Sequence, residues 1–303
     1  MDWKGIRGEV LQNVSMKRYT SMKVGGNVKY MIYPVDNEDL IDIVARLNTQ
    51  EIKYRFLGNG TNIIVNDGIL DEAIIRITKI KMLRKKEENG LYKVKVSGGT
   101  SLKHLIRYCA EHGLSGLERL YWIPGTVGGG LKMNASSFGA TISDCLEYVE
   151  LLKNNYGVKE VQKNEMFFGY RTSSIGKCDC VVSAQFVLKK RDKKEILKDM
   201  EYVFNERKKR HPMEYPSSGS IFKSVNNEPA WKFIEKANLK GLRIGGACIS
   251  EKHGNFIVNM GDARARDIKA LIEKIKKEVF ELFGVELVEE VELWGFEEER
   301  ESI

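Results

Sequence analysis

Ile123-Pro124-Gly125-Thr126-Val127-Gly128-Gly129-Gly130, continued by Met133-Asn134-Ala135-Ser136-Ser137-Phe138-Gly139, is the stretch on which the reading of this chain turns. Four glycines and a threonine fall within the seven residues from Pro124 to Gly130. Glycine at that density raises the conformational entropy lost on folding, which a plain connector does not require. Two readings explain it: a tight packing turn, or a ligand approached closely by backbone. The small residues from Asn134 to Gly139 extend the surface such a ligand would meet. An earlier segment, Gly58-Asn59-Gly60-Thr61-Asn62, lies between two apolar strand-like runs. Its glycines would let backbone N–H groups approach an anion, and Thr61 and Asn62 add side-chain donors. A hairpin turn is the competing reading there.

Familiar phosphate and nucleophile motifs are excluded by inspection. Gly58-x-Gly60 runs on to Ile63, and Gly128-x-Gly130 to Met133, so neither loop completes G-x-G-x-x-G. Gly130 is followed by Leu131 and Lys132, not by the Lys-Ser/Thr of a Walker loop. Ser220, in Ser218-Gly219-Ser220-Ile221, is not in a G-x-S-x-G elbow. A Rossmann dehydrogenase, a P-loop enzyme and a serine hydrolase therefore lack support.

The bulk numbers set the frame. At 303 residues the chain calls for two or three subdomains. Its 42% apolar and 30% charged residues describe a globular protein with a sizeable core. No stretch approaches the roughly 20 apolar residues of a membrane span. Met1-Asp2-Trp3-Lys4-Gly5 lacks the apolar run of a secretory signal, so a cytoplasmic location is expected. Five cysteines with no regular framework read as reduced thiols, and Cys178-Asp179-Cys180 reads as structural, with no metal expected. Much of the net charge of +7 sits in runs such as Arg207-Lys208-Lys209-Arg210 and Lys274 to Lys277. A solvated helix face explains those runs, and no nucleic-acid partner is expected.

Periodicity predicts an amphipathic helix after Asp36, through Leu40, Ile43, Val44 and Leu47. Short strands are expected at Lys53–Leu57, Ile63–Val65, Ala73–Ile77 and Tyr92–Val96, then a helix from Ser101 to His112 stopped by Gly113. Strands follow at Leu146–Leu152 and Val181–Leu188, and a helix from Lys193 to Arg210. Pro216–Ser220 reads as a loop. Beyond it come a helix around Trp231–Ala237, a strand at Phe256–Val258, a helix from Ala265 to Phe283 and a strand-like run at Val285–Trp294. The main boundary is expected near residues 190–200, between two α+β portions.

Taken together, these segments resemble the UDP-N-acetylenolpyruvoylglucosamine reductases of peptidoglycan precursor synthesis (the MurB family). The resemblance runs from Tyr19-Thr20-Ser21-Met22-Lys23-Val24-Gly25-Gly26 to Gly295. Its most specific stretches are Ile123–Gly129 with Met133-Asn134-Ala135, Gly169-Tyr170-Arg171, Ser218–Lys223 and Ser250–Asn259. It implies an α+β fold with FAD-binding subdomains of the vanillyl-alcohol-oxidase type, followed by an α+β substrate-binding C-terminal domain. The implied divisions are 1–52, joined by a C-terminal strand near 290–303, then 53–192, then 193–289. FAD would be held noncovalently, since neither glycine loop carries a His or Cys. The implied cofactor-binding residues are Gly58, Asn59, Gly60, Thr61, Asn62, Pro124, Gly125, Thr126, Val127, Gly128, Gly129, Asn134, Ala135 and Gly139.

The family likeness also implies a chemistry. NADPH would reduce the flavin and be replaced in the same pocket by the enolpyruvyl sugar nucleotide. Flavin N5 would deliver hydride to substrate C3, and Ser220 a proton to C2. Arg171 and Glu290 would act on the enolpyruvyl carboxylate, where negative charge builds. Lys223, His253 and Asn255 are the implied substrate-binding residues; His253 would contact the nucleotide or cap a strand. Two departures stand out. Val288-Glu289 replaces the acidic-Pro pair before the catalytic Glu, which leaves Glu289 and Glu290 adjacent, and Ser224-Val225 replaces Asn-Pro after Lys223. Only forty-nine positions separate Arg171 from Ser220, which implies the shorter, second type without the tyrosine-bearing loop. Two alternatives remain: another noncovalent-FAD oxidoreductase of the same superfamily, or a non-catalytic nucleotide- or nucleic-acid-binding protein.

Overall fold

The computed structural model describes residues 3–153 and 157–296. The chain divides into two compact units: the described residues of Met1–Gln12, Tyr30–Asn59 and Glu72–Arg207, and those of Asn13–Lys29, Gly60–Asp71 and Lys208–Ile303. Positions 297–303 of the strand expected near 290–303 lie outside the described residues.

The first unit is built on an antiparallel sheet with strand order Val158–Gln162, Leu146–Leu152, Cys180–Lys190, Leu91–Ser97, Leu83–Glu88. The central strand, Cys180–Lys190, is eleven residues long and buried on both faces over most of its length, which matches its near-continuous apolar sequence. One sheet face meets α2 (Leu102–Glu111), the short α3 (Val127–Lys132) and α4 (Lys193–Arg210) in a core that includes Val94, Val96, Phe186, Leu105, Leu131, Ile196 and Met200. The other face shares a core with α1 (Asn37–Thr49), where Leu40, Ile43, Val44 and Leu47 form the inward stripe beside Val182. Asp36 caps α1 by accepting the Asp39 N–H at 2.9 Å, satisfying one of the four N–H groups that every helix start leaves open. Strand Tyr54–Phe56 runs parallel to Ala73–Ile75.

The second unit carries an antiparallel sheet in the order Ser217–Ser220, Phe256–Asn259, Ala247–Ile249, Arg243–Ile244. Its core joins Ile249 and Ile257 to α5 (Ala230–Lys236) and to the stripe Ile268, Leu271, Ile272, Ile275 and Val279 of α6 (Ala265–Phe283). Gly284, at φ 66°, ends α6 in the left-handed conformation with its N–H on the Phe280 carbonyl, a geometry glycine adopts without a Cβ penalty. Ile63–Val65 pairs in parallel with Glu292–Trp294, the only part of the run Val285–Trp294 that is strand.

Three expectations are corrected. Pro216–Ser220 is not a plain loop, because Ser217–Ser220 forms an edge strand whose polar sequence hid it. Pro124–Gly130 is not loop throughout: Val127 opens α3, capped by Thr126, whose Oγ1 accepts the Gly129 N–H. Arg207 does not share the solvated face of Lys208–Arg210. It continues the inward stripe Ile196, Met200, Val203 and is half-buried, with a guanidinium N–H on Ser137 Oγ at 2.6 Å.

Candidate functional site

In the first unit Gly58 meets Thr126 of the second glycine segment. A Cβ on Gly58 would lie 2.5 Å from Thr126 Oγ1, so only glycine allows this approach. Arg76 fixes the turn by donating to the Gly58 carbonyl at 3.1 Å. Beside it lies a cavity of about 470 Å³ lined by Asn59, Arg76, Lys81, Gly99, Thr100 and His104, among others. Basic side chains line it and no carboxylate does. Gly98 and Gly99 carry no side chain for a steric reason: a Cβ would lie 1.8 Å from the Val181 carbonyl and 2.4 Å from that of Ile77. Sequence reading passed over this Ser97-Gly98-Gly99-Thr100 turn, although a glycine pair between a strand and a helix was the available signal.

The two segments differ in what their backbone offers an anion. Val127 and Gly128 donate to the Thr100 and Gly98 carbonyls at 2.8 Å each, and Gly129 and Gly130 donate to Thr126. Those four N–H groups are therefore occupied inside the fold. Gly128 and Gly130 are small because α3 packs closely: a Cβ on Gly128 would meet Gly98 O at 3.2 Å, and one on Gly130 would meet Ile142 Cδ1 at 3.2 Å. By contrast, the backbone N–H groups of Gly58, Asn59, Gly60 and Asn62 donate to no backbone carbonyl among the described residues. The donor-rich cradle is thus the segment Gly58–Asn62, which fits a diphosphate. Together with the basic cavity beside Gly58 and Asn59, it fits the diphosphate-bearing part of a dinucleotide.

Arg171 sits in the turn of a short hairpin, Phe168–Gly169 with Thr172–Ser173. Its φ is 54°, and Asn134 and Phe138 also have positive φ, at 41° and 48°. Non-glycine residues held in this region concentrate where function holds them. Arg171 Nη1 donates to Ser136 Oγ at 2.6 Å. Asn134 Nδ2 donates to the Gly169 carbonyl at 3.0 Å, while its buried Oδ1 has no donor within the protein among the described residues. A bound ligand is one explanation for such an atom. Ala135 is buried beside it, and Gly139, at φ 78°, ends the segment.

The second unit brings Ser220 and Glu290 together through their neighbours. Glu290 N–H donates to the Ile221 carbonyl at 2.7 Å, Lys223 N–H donates to the Val288 carbonyl at 2.9 Å, and Phe222 bridges Glu289. Asn62 Nδ2 donates to the Glu290 carbonyl at 3.0 Å, so this side chain fastens the Glu290 segment. The adjacent Glu289 is held elsewhere, accepting from Lys276 of α6 at 2.9 Å. Ser220 owes its aim to an irregular pairing. Ser217 faces Val258 and Ser220 faces Phe256, so two residues, Ser218 and Gly219, lie opposite the single Ile257, with Gly219 at φ 76° inside the bulge. Such bulges re-aim the side chains that follow them.

Asn255 is buried, and both ends of its amide bind the backbone of Phe222: Oδ1 accepts from N–H at 2.9 Å and Nδ2 donates to O at 2.8 Å. It clamps the segment between Ser220 and Lys223. His253 Nδ1 accepts the Asn255 N–H at 3.3 Å, so the ring caps the entry to strand Phe256–Asn259. Burial among His211, Trp231 and Phe256 pushes its imidazole pKa down, against the pull of Glu235. Among the described residues no three His, Cys, Asp or Glu side chains gather as a metal would require, and no helix is long and apolar enough to cross a membrane.

Comparison with known proteins adds the following. Residues 28–160 match a family model described as an FAD binding domain, and residues 211–294 match the C-terminal domain of UDP-N-acetylenolpyruvoylglucosamine reductase. A protein of that name from Caldicellulosiruptor bescii is 39% identical, over 95% of this chain and 91% of its own length. Another, from Thermotoga sp., is 41% identical over 91% of this chain and 90% of its own. The crystal structure of the Thermus caldophilus enzyme (MurB) superposes with a TM-score of 0.79 at 35% identity, covering 95% of this chain and 99% of that one. The expected α+β architecture with FAD-binding subdomains is thereby borne out. At this identity over nearly the full length of both partners, the chain belongs to the UDP-N-acetylenolpyruvoylglucosamine reductase family.

Proposed function

We infer that the chain is an FAD-containing oxidoreductase that reduces UDP-N-acetylglucosamine enolpyruvate to UDP-N-acetylmuramate with NADPH, in peptidoglycan precursor synthesis. The observation that carries this reading is the full-length family likeness, at 39% identity over 95% of the chain. The fold supports it through the donor-rich turn Gly58–Asn62 and the basic cavity beside Gly58 and Asn59. We assign the FAD diphosphate to that turn, with Pro124, Gly125 and Thr126 closing against it. Asn134 Oδ1 is assigned to a ligand N–H. A cytoplasmic location goes with this reading, since NADPH and the sugar nucleotide are its substrates.

FAD, when bound, supplies the hydride acceptor and donor that links NADPH to the substrate. The chain's own groups do the rest. Arg171, anchored on Ser136, faces negative charge building on the enolpyruvyl carboxylate, and Glu290 acts on the same group. Preorganised groups aimed at developing charge lower a barrier most. Ser220 Oγ–H donates its proton to C2, its aim set by the bulge at Gly219. A hydroxyl is a weak acid in water, but the carbon it protonates is strongly basic and the donor is held in place. Lys223 binds the sugar-nucleotide diphosphate, and Asn255 and His253 shape the strand that carries it.

An anaerobic flavin spectrum tests the reading. NADPH should bleach the bound flavin, and the enolpyruvyl sugar nucleotide should restore the colour. Protein that binds FAD yet is never bleached by NADPH or NADH would refute it. Ser220→Ala should slow the reoxidation step about 100- to 10,000-fold more than the NADPH step, as loss of a positioned acid does. Equal damage to both steps would remove Ser220 from the proton-donor role.

A further inference from the structure

Arg207 is the one residue of the inward stripe of α4 that carries a charge, following Ile196, Met200 and Val203 at helical spacing. A buried guanidinium ordinarily has a carboxylate partner, because removing a charge from water costs several kcal/mol. Among the described residues Arg207 has none. Its side chain donates to Ser137 Oγ at 2.6 Å and lies with its guanidinium carbon 5.9 Å from the Phe138 ring centre, while its buried Nε–H has no acceptor. Arg171 donates to the neighbouring Ser136 Oγ, also at 2.6 Å. Two cations thus rest on consecutive serines of strand Ser136–Ser137. Burial first, and then the charge of Arg171, lower the Arg207 pKa to about 10. An oxyanion seated against Arg207 supplies the acceptor its buried Nε–H lacks, and two planar guanidinium groups suit its oxygens.

We propose that Arg207 is a second cation of the anion site and that it holds, with Arg171, the carboxylate of the enolpyruvyl substrate. This rests on the substrate reading given above and deepens it. Arg207 binds the ground state, so its loss acts on KM more than on kcat.

The test uses the FAD-bound enzyme and two variants. Arg207→Gln removes the charge and retains a donor for Ser137, and Arg207→Lys restores the charge without the planar fork. Flavin content and the urea midpoint report folding. In Arg207→Gln the KM for the enolpyruvyl sugar nucleotide should rise roughly 10- to 100-fold, as for loss of a charge-assisted hydrogen bond, and at least tenfold more than that for NADPH. Arg207→Lys should recover part of the loss. An analogue with a carboxamide in place of the carboxylate should bind both forms alike, a readout that a merely structural role would not produce. Unchanged KM in Arg207→Gln overturns the proposal, as does an equal loss with the carboxamide. Loss of discrimination between NADPH and NADH, with the enolpyruvyl step intact, also overturns it and moves the cation to a phosphate. Wild-type enzyme that does not turn over the enolpyruvyl substrate refutes the substrate reading itself, a result distinct from any of these.

Discussion

Asn255→Ala should destabilise the protein and damage the proton-donating step together. Asn255 is 6% exposed and Phe222 1%, so the two hydrogen bonds between them, at 2.9 and 2.8 Å, form out of water. Alanine leaves the Phe222 N–H and carbonyl buried and unpaired. Each such group costs about 1–3 kcal/mol, so the expected loss is about 2–6 kcal/mol. Asn255→Asp separates pairing from packing. It preserves shape and still accepts from the Phe222 N–H, but sets a carboxylate oxygen against the Phe222 carbonyl. It should therefore be no milder than alanine, although a packing argument alone would make it harmless. The consequence for chemistry follows from position: Phe222 lies two residues after Ser220, and the preceding Ile221 carbonyl accepts the Glu290 N–H. Urea unfolding followed by flavin fluorescence gives the stability change, and stopped-flow mixing with each substrate gives the two half-reactions. Both variants falling within about 1 kcal/mol of wild type would refute the clamp.

Two more predictions follow from local geometry. Gly219 has φ 76°, and a Cβ there would meet nothing within 4 Å. Gly219→Ala should therefore carry backbone strain alone, about 1–2 kcal/mol, and slow the enolpyruvyl step by re-aiming Ser220; a variant as stable and active as wild type would show that the bulge is dispensable. His253 has its pKa lowered by burial, so below about pH 6.5 the unfolded chain binds more protons than the folded one. Stability should fall as pH drops from 7 towards 5, with at most about 1.4 kcal/mol per pH unit from this residue, and Asn or Gln at 253 should flatten the slope. Parallel stability curves for His253→Gln and wild type would exclude that contribution.

Helices were the most legible part of the chain. The limits of α4 and α6 and the stripe of α1 are written in local 3.6-residue periodicity and in punctuating residues such as Gly284, which act over a few positions. The run Ile63–Val65 was equally plain, because continuous apolar sequence marks a strand buried on both faces, and Leu146–Leu152 showed through its apolar positions despite Glu147 and Glu150. Strand Ser217–Ser220 was not: its residues are polar, and its strand character comes from pairing with Phe256–Asn259, far along the chain. The glycines of Gly128–Gly130 announced a close approach but not its object, which proved to be the protein itself: the Gly98 carbonyl at Gly128 and the Ile142 side chain at Gly130.

The site divides in the same way. Short motifs and their order were enough to place the chain in its family, since they survive unaligned, and the proposed roles of Arg171, Ser220 and Glu290 come with that likeness and not from their local sequence. Only tertiary structure showed that Asn62 reaches the Glu290 carbonyl across 228 positions, that Asn255 clamps Phe222 across 33, and that Glu289 is taken by Lys276. It also turned Arg207 inward, out of a basic run that local charge patterning assigns to solvent. Hydrogen bonds and burial at that range are decided by which segments the core brings together. No local pattern of charge or hydrophobicity encodes the partner.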